Sequence, residues 1–399
     1  MQKFTELTKC RVCSSTNLRE VLDLNEQPLA NNYHEGTTQD MFPLKINTCL
    51  DCFHTQLSVV VNPDLMFKDY LYVSGTSKTL HQYFEDFVDL CESYGMSKGK
   101  VMDVACNDGT QLDKFKQKGW DTFGVDPAEN LLEASSKNHN VKCEYWNEDV
   151  ALSFGEKFDA ITAQNVFAHV ADVHSFLKAC YVSLSDDGLV FIQTSQADMI
   201  IDGQFDTIYH EHLSFFSSKS MKTCANLCGF SLIDIQRVEV HGGSYVFVLK
   251  RGSHDESRSA KEVEKEAQNG VYNELTYEKY ANGCLKVVND FKKQVETMKN
   301  SGLKVVGYGA AAKGNTFLNF ANITLDYIID DNPLKQGLLT PGMDIPIHDS
   351  SILKSENPDN LVVVPLAWNF FNEIRQRANS VSGSELTFIK YFPNLEVIK

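Results

Sequence analysis

Four cysteines in two pairs, Cys10-Arg-Val-Cys13 and Cys49-Leu-Asp-Cys52, constrain this chain more than any other feature. A CxxC spacing turns two thiolates toward one point, and two such knuckles complete a tetrahedral shell for zinc. The quartet leaves no coordination position open, so the expected metal is structural. Its binding energy would fold a segment that has few apolar residues for a core of its own. His34 and His54 lie in the same segment and are not needed as ligands. The other cysteines stand singly, as Cys91, Cys180 and Cys284 do, or one helical turn apart, as Cys224 and Cys228 do, and read as small buried thiols.

With 399 residues the chain has material for two or three domains, each with its own core. A formal net charge of -16 without a basic run argues against a nucleic-acid partner. No apolar stretch approaches the ~20 residues needed to cross a bilayer. A cytoplasmic protein with no membrane partner is expected, as a monomer or small homo-oligomer.

The middle of the chain alternates strands and helices. Lys100–Ala105 reads as a buried strand, followed by Cys106-Asn-Asp-Gly-Thr110 and an amphipathic helix over 111–118. A second strand, Thr122–Val125, ends in Asp126-Pro127, where a doubly wound sheet places an acid to grip the ribose hydroxyls of an adenosyl group. A nicotinamide enzyme would carry GxGxxG at the first turn. Asp-Val-Ala-Cys-Asn-Asp-Gly stands there instead, which favours a cofactor without phosphate. Further strands at 158–163, running into Gln164-Asn165-Val-Phe-Ala-His169, and at 188–193 continue the sheet.

This order of elements resembles class I S-adenosylmethionine methyltransferases, and nearly the whole chain resembles one branch of them, the sugar C-methyltransferases. The likeness rests on the cysteine quartet, Asp69-Tyr-Leu-Tyr72-Val-Ser-Gly-Thr-Ser77, the Asn-Asp-Gly turn, Asn165–His169, Tyr209-His-Glu-His212 and Gly307-Tyr-Gly-Ala-Ala-Ala-Lys-Gly-Asn315. It implies an α/β protein with a zinc-binding domain over 1–68, a class I (Rossmann-like) methyltransferase domain over 69–252, and a second Rossmann-like domain with a helical connector over 253–399. S-adenosylmethionine would be held by Asp103, Ala105, Asn107, Gly109, Asp126, Pro127, Gln164 and Asn165. The resemblance also implies a glycine at the position of Ala105 and a small residue at that of Cys106, and the chain departs from both.

Methyl transfer to carbon needs a carbanion equivalent, which a base and an enolate donor can draw from the carbon beside a ketone. The dense cluster Tyr209–His212 follows a polar loop, 202–206, beyond a strand of the sheet. By the resemblance, His212 is the general base, Glu211 orients it or binds a sugar hydroxyl, and Tyr209 meets the substrate or the enolate. His169 and Tyr72 complete the ring, with Tyr70 able to exchange roles with Tyr72. Packing at a domain junction competes for Tyr72, and a backbone-bonded helix start competes for His169. The implied substrate is a keto sugar on a nucleotide. An O- or N-methyltransferase on a related sugar and a zinc-dependent scaffold without turnover compete with that reading.

From Glu256 to Thr297, charges with apolar residues at helical spacing read as a helical connector. Strands at 303–307, 325–330 and 361–364 then announce a second α/β sheet. The turn with Gly307, Gly309 and Gly314 lacks Walker spacing. It either packs strand against helix or cradles the substrate diphosphate, with Lys313 and Asn315 as contacts. A nicotinamide oxidoreductase built on this turn would leave the Asp103 to Asp126 arrangement unexplained.

Overall fold

The structure, a computed structural model, describes residues 3–67, 75, 78–96, 98–195, 198–240 and 243–399. Tyr70, Tyr72 and all of 69–77 except Gly75 lie outside the described residues. Contacts divide the chain into two compact units, each assembled from separated segments. The first comprises Met1–Arg19, Asn47–Ala197 and Leu213–Tyr272, and the second Glu20–Ile46, Asp198–His212 and Asn273–Lys399.

The first unit is built on a seven-stranded sheet of β1 (Lys100–Val104), β2 (Asp121–Val125), β3 (Asn140–Lys142), β4 (Phe158–Gln164), β5 (Leu184–Ser195), β6 (Phe230–Val238) and β7 (Ser244–Arg251). Their spatial order is β6-β7-β5-β4-β1-β2-β3, parallel from β5 through β3, with β7 antiparallel to both β5 and β6. Both faces of β1 are covered, so its sequence is an unbroken buried run. Val101 packs with Phe87, Leu112 and Phe115 on one side, while Met102 and Val104 join Phe176 and Leu177 on the other. Two short antiparallel ladders add the N-terminal segment to this unit, Phe4–Glu6 with Val59–Val61 and Thr55–Leu57 with Ser214–Phe215.

Chain order reverses between β1 and β4, which leaves a crevice outside the carboxyl ends of these strands. The turn after β1 reaches it through a run of left-handed residues, Ala105 (φ 60°), Asn107 (φ 51°) and Gly109 (φ 84°). The N–H groups of Ala105 and Cys106 both bond to the Val125 carbonyl, tying the turn to the end of β2.

The second unit carries a six-stranded sheet of β8 (Lys304–Tyr308), β9 (Ile328–Ile329), β10 (Ile347–His348), β11 (Leu361–Pro365), β12 (Thr387–Lys390) and β13 (Glu396–Ile398), in the order β10-β9-β8-β11-β12-β13. All neighbours are parallel except β12 with β13. The strand expected over 325–330 is only two residues long. The connector forms two helices, Ser257–Gln268 in the first unit and Glu274–Asn300 in the second. The longer one buries Tyr277, Tyr280, Cys284, Val288, Phe291, Val295 and Met298 at helical spacing. Among the described residues no helix is long and apolar enough to cross a membrane.

Candidate active site and metal centre

The cysteine quartet converges. Cys10 Sγ lies 3.6 Å from Cys52 Sγ and Cys13 Sγ 3.5 Å from Cys49 Sγ, and all four sulfurs fall within 4.8 Å of one another. Four thiolates on one zinc at Zn–S distances of about 2.3 Å stand about 3.8 Å apart, so the set is close to what that ion needs. Each knuckle closes through a left-handed residue, Ser14 (φ 60°) bonding back to the Cys10 carbonyl and Phe53 (φ 55°) to that of Cys49. His54 is buried and 3.2 Å from Ser214 Oγ, while His34 pairs with Asp344, so neither imidazole joins the quartet.

A cavity of about 340 Å³ opens at the carboxyl end of the first sheet. Asp103, Ala105, Asn107, Asp126, Pro127, Gln164, Asn165 and His169 all line it, with an apolar wall that includes Met66, Phe67, Tyr83, Phe84 and Trp146. Gly109 does not. Its positive φ starts the helix Thr110–Gln117, and a side chain there would meet Ser135 and His139. Cys106 tucks its thiol toward β2, where a Cβ on Gly124 would come within 2.7 Å of the sulfur. That glycine gives the larger residue its room.

Asp126 receives the N–H groups of Asn107 (2.8 Å) and Ala128 (2.9 Å), one on each carboxylate oxygen, which pins the acid at the cavity wall. Asp103 accepts from Thr162 Oγ1 at 2.7 Å, and burial, reinforced by nearby Asp126, pushes its carboxyl up to about 7. Gln164 Nε2 donates to Gln111 Oε1 at 2.5 Å, which leaves the other half of each amide, one donor and one acceptor, buried without a partner. Two orphaned amide groups facing a mixed cavity suit the ammonium and carboxylate of an amino-acid moiety, as S-adenosylmethionine carries. Gln111 had no signal in the sequence beyond helical position. His169 ends a short 3-10 turn after β4, its ring 5.9 Å from that of Phe67, and desolvation pushes it down to about 4, so it is neutral.

In the second unit the segment Tyr209–His212 forms a bonded cluster. His212 Nδ1 is 2.7 Å from the Thr207 carbonyl, which can only accept, so that nitrogen carries the proton. Nε2 therefore presents its lone pair, and the Tyr209 hydroxyl lies 3.0 Å from it. Glu211 is buried, accepts from Asn31 Nδ2 at 2.6 Å, and is pushed up to about 7 by desolvation. His210 turns away to the Pro43 carbonyl at 3.2 Å.

The glycine-rich turn serves packing. A Cβ on Gly307 would lie 2.8 Å from Leu366 Cδ1, and one on Gly314 2.6 Å from Leu366 Cβ. Three of the turn's amides are used, Gly309 N–H by the Ile329 carbonyl, Ala310 N–H by Asp330 and Ala311 N–H by the Gly309 carbonyl. These contacts favour the packing of strand against helix, one of the two roles the turn offers. Asn315 is 2% exposed and gives both amide hydrogens to protein, to the Ala30 carbonyl (2.8 Å) and the Tyr33 hydroxyl (3.1 Å), so it has no donor left for a diphosphate. Lys313 keeps its ammonium 5.4 Å from the centre of the Trp368 ring, whose N–H donates to Asp206 at 2.6 Å.

Three family models match in succession: a zinc binding domain over 10–67, a methyltransferase domain over 77–235 and a C-methyltransferase C-terminal domain over 239–393. C-methyltransferase NovU of Streptomyces niveus is 30% identical over 410 residues, covering 98% of this chain and 97% of its own. A ubiquinone biosynthesis O-methyltransferase of Neisseria meningitidis is 25% identical across 44% of this chain and 82% of its own. Among solved structures, magnesium protoporphyrin IX methyltransferase from Synechocystis with bound S-adenosylmethionine superposes with a TM-score of 0.34 and 12% identity over 43% of this chain and 79% of that one.

Proposed function

The chain belongs to the S-adenosylmethionine-dependent C-methyltransferases, and from that premise we propose that it methylates the carbon beside the ketone of a keto-deoxysugar carried on a nucleotide. The observation that carries this reading is the fixed tautomer of His212, with Nδ1–H held by the Thr207 carbonyl and Nε2 left basic. The Tyr209 hydroxyl swings from Nε2 to the ketone oxygen when substrate binds, which frees the Nε2 lone pair to take the proton from the carbon while the hydroxyl donates to the developing enolate oxygen. Glu211 accepts from a sugar hydroxyl, and Lys313 offers its ammonium to the diphosphate. His169, kept neutral by desolvation, hydrogen-bonds the substrate from the cavity wall. When bound, S-adenosylmethionine supplies an electrophilic methyl group. Asp126 and the turn 105–107 would hold its adenosyl end and the Gln111–Gln164 pair its amino-acid end. The quartet Cys10, Cys13, Cys49 and Cys52 would hold zinc in a purely structural role.

The test is mass spectrometry of the zinc-loaded protein with S-adenosylmethionine and a panel of 4-keto-6-deoxy nucleotide sugars, in ordinary and deuterated water. A product heavier by one methyl is expected, with solvent deuterium entering unreacted substrate and both signals falling about 10²–10⁴-fold in His212→Ala. Methylation that persists in His212→Ala without deuterium exchange would instead mark transfer to oxygen or nitrogen.

A further inference from the structure

The short segment Ala30–Tyr33 is bound from three sides within the second unit. Asn315 donates to the Ala30 carbonyl at 2.8 Å and to the Tyr33 hydroxyl at 3.1 Å, and that hydroxyl in turn donates to the Ala310 carbonyl at 2.5 Å. Lys335 reaches the same carbonyl at 2.7 Å and lies 5.0 Å from the centre of the Tyr33 ring. Ala310 N–H is tied to Asp330 at 2.7 Å, so the turn that receives these bonds is itself fixed. Between the two clamped residues, Asn31 extends its amide to Glu211 Oε1 at 2.6 Å.

We propose that Asn31 is a positioning residue that holds the Glu211 carboxylate, and that the glycine-rich turn Gly307–Asn315 serves as the platform that aims it. This rests on Glu211 belonging to the methyl-transfer site, as proposed above. A short amide bond to one carboxylate oxygen favours the ionised form and fixes the plane of the group, leaving the second oxygen as acceptor for a sugar hydroxyl. It also gives the turn a role that neither phosphate binding nor strand packing alone provides. Asn315 is spent on the clamp because the clamp is its function. The titratable group that feels the carboxylate is Tyr33, whose hydroxyl is pushed up by burial, by Asp330 and by Glu211 itself, while His210 and His212, its neighbours in sequence, bond to Pro43 and to Thr207 and Tyr209.

The test needs no substrate. The protonated-carboxyl C=O band of Glu211 is titrated by infrared difference between full-length zinc-loaded protein and Glu211→Gln. Wild type should show a midpoint near 7. Asn31→Ala should move it upward by about one pH unit or more, and the near-isosteric Asn31→Asp further still, since two carboxyls then share a proton. Asn315→Ala should move it in the same direction, whereas a diphosphate-binding Asn315 would leave it in place and raise KM for the nucleotide. Zinc content and S-adenosylmethionine binding should stay at wild-type levels in all three. With an accepted substrate, kcat of Asn31→Ala should fall about tenfold at pH 7, its acidic limb displaced with the infrared midpoint. A midpoint unmoved in both Asn31 variants overturns the proposal. A moved midpoint in a protein that methylates no sugar leaves the positioning intact and refutes the substrate reading instead.

Discussion

Ala105 sits at φ 60°, a conformation that glycine takes without cost and that an L side chain pays about 1 kcal/mol to adopt. The bond from its N–H to the Val125 carbonyl at 2.7 Å is part of what holds it there, so the departure from the expected glycine changes strain more than architecture. Glu211 shows a larger tension. Its carboxyl is raised from the ordinary 4.5 to about 7 by desolvation, so the stability it contributes is full below pH 4.5 and is lost as pH rises through 7. Glu211→Gln removes that loss while keeping an acceptor for Asn31. The variant should therefore melt with wild type at pH 4 and above it at pH 8, by an equivalent of about 3 kcal/mol. Equal melting temperatures at pH 8 would mean that the carboxylate is solvated or paired. The residue types at 209–212 were legible as chemistry, but their partners were not. Asn31 is 180 positions from Glu211, and no local pattern links them.

At the level of elements, the buried strands β1, β4, β8 and β11 could be read from short apolar runs bounded by turn residues. The reading failed where an element is held by its neighbours. β9 keeps two residues of an expected six: Asp326 still bonds to Val305 on β8, but Asp330 turns the chain out of the sheet by accepting from Asn332 N–H, and the β6–β7 hairpin at the sheet edge escaped notice because strand propensity depends on the pairing that surrounds it. Helix Ala312–Ala321 illustrates how tightly such elements approach. A methyl group on Gly314 would lie 2.6 Å from Leu366 Cβ, and neither backbone can yield without disturbing β8 or β11. Gly314→Ala should lower the melting temperature by an amount equivalent to about 1–3 kcal/mol, read by calorimetry. An unchanged transition would show that the helix can tilt freely.

For the whole molecule, the division into two discontinuous units has a direct consequence for cofactor binding, because every residue lining the cavity at the carboxyl end of the first sheet belongs to the first unit. Adding S-adenosylmethionine at about 100 times its Kd should stabilise that unit by about 2.7 kcal/mol. Hydrogen exchange should then slow in β1, β2, β4 and the turn 105–107, with β8 and β11 unchanged. Equal protection in the second sheet would contradict a cavity confined to the first unit. The sequence by itself determined the zinc ligands, the alternation that makes both sheets, and the family, because thiol spacing and buried strand runs are local signals set by chain geometry. Only the tertiary structure decided that Gly109 turns away from the cavity, that Gln111 faces it, that Asn315 is spent on Ala30 and Tyr33, and that His212 presents Nε2. Each of those outcomes depends on which groups meet across long stretches of chain, where burial obliges a donor to find whatever acceptor the fold brings within reach.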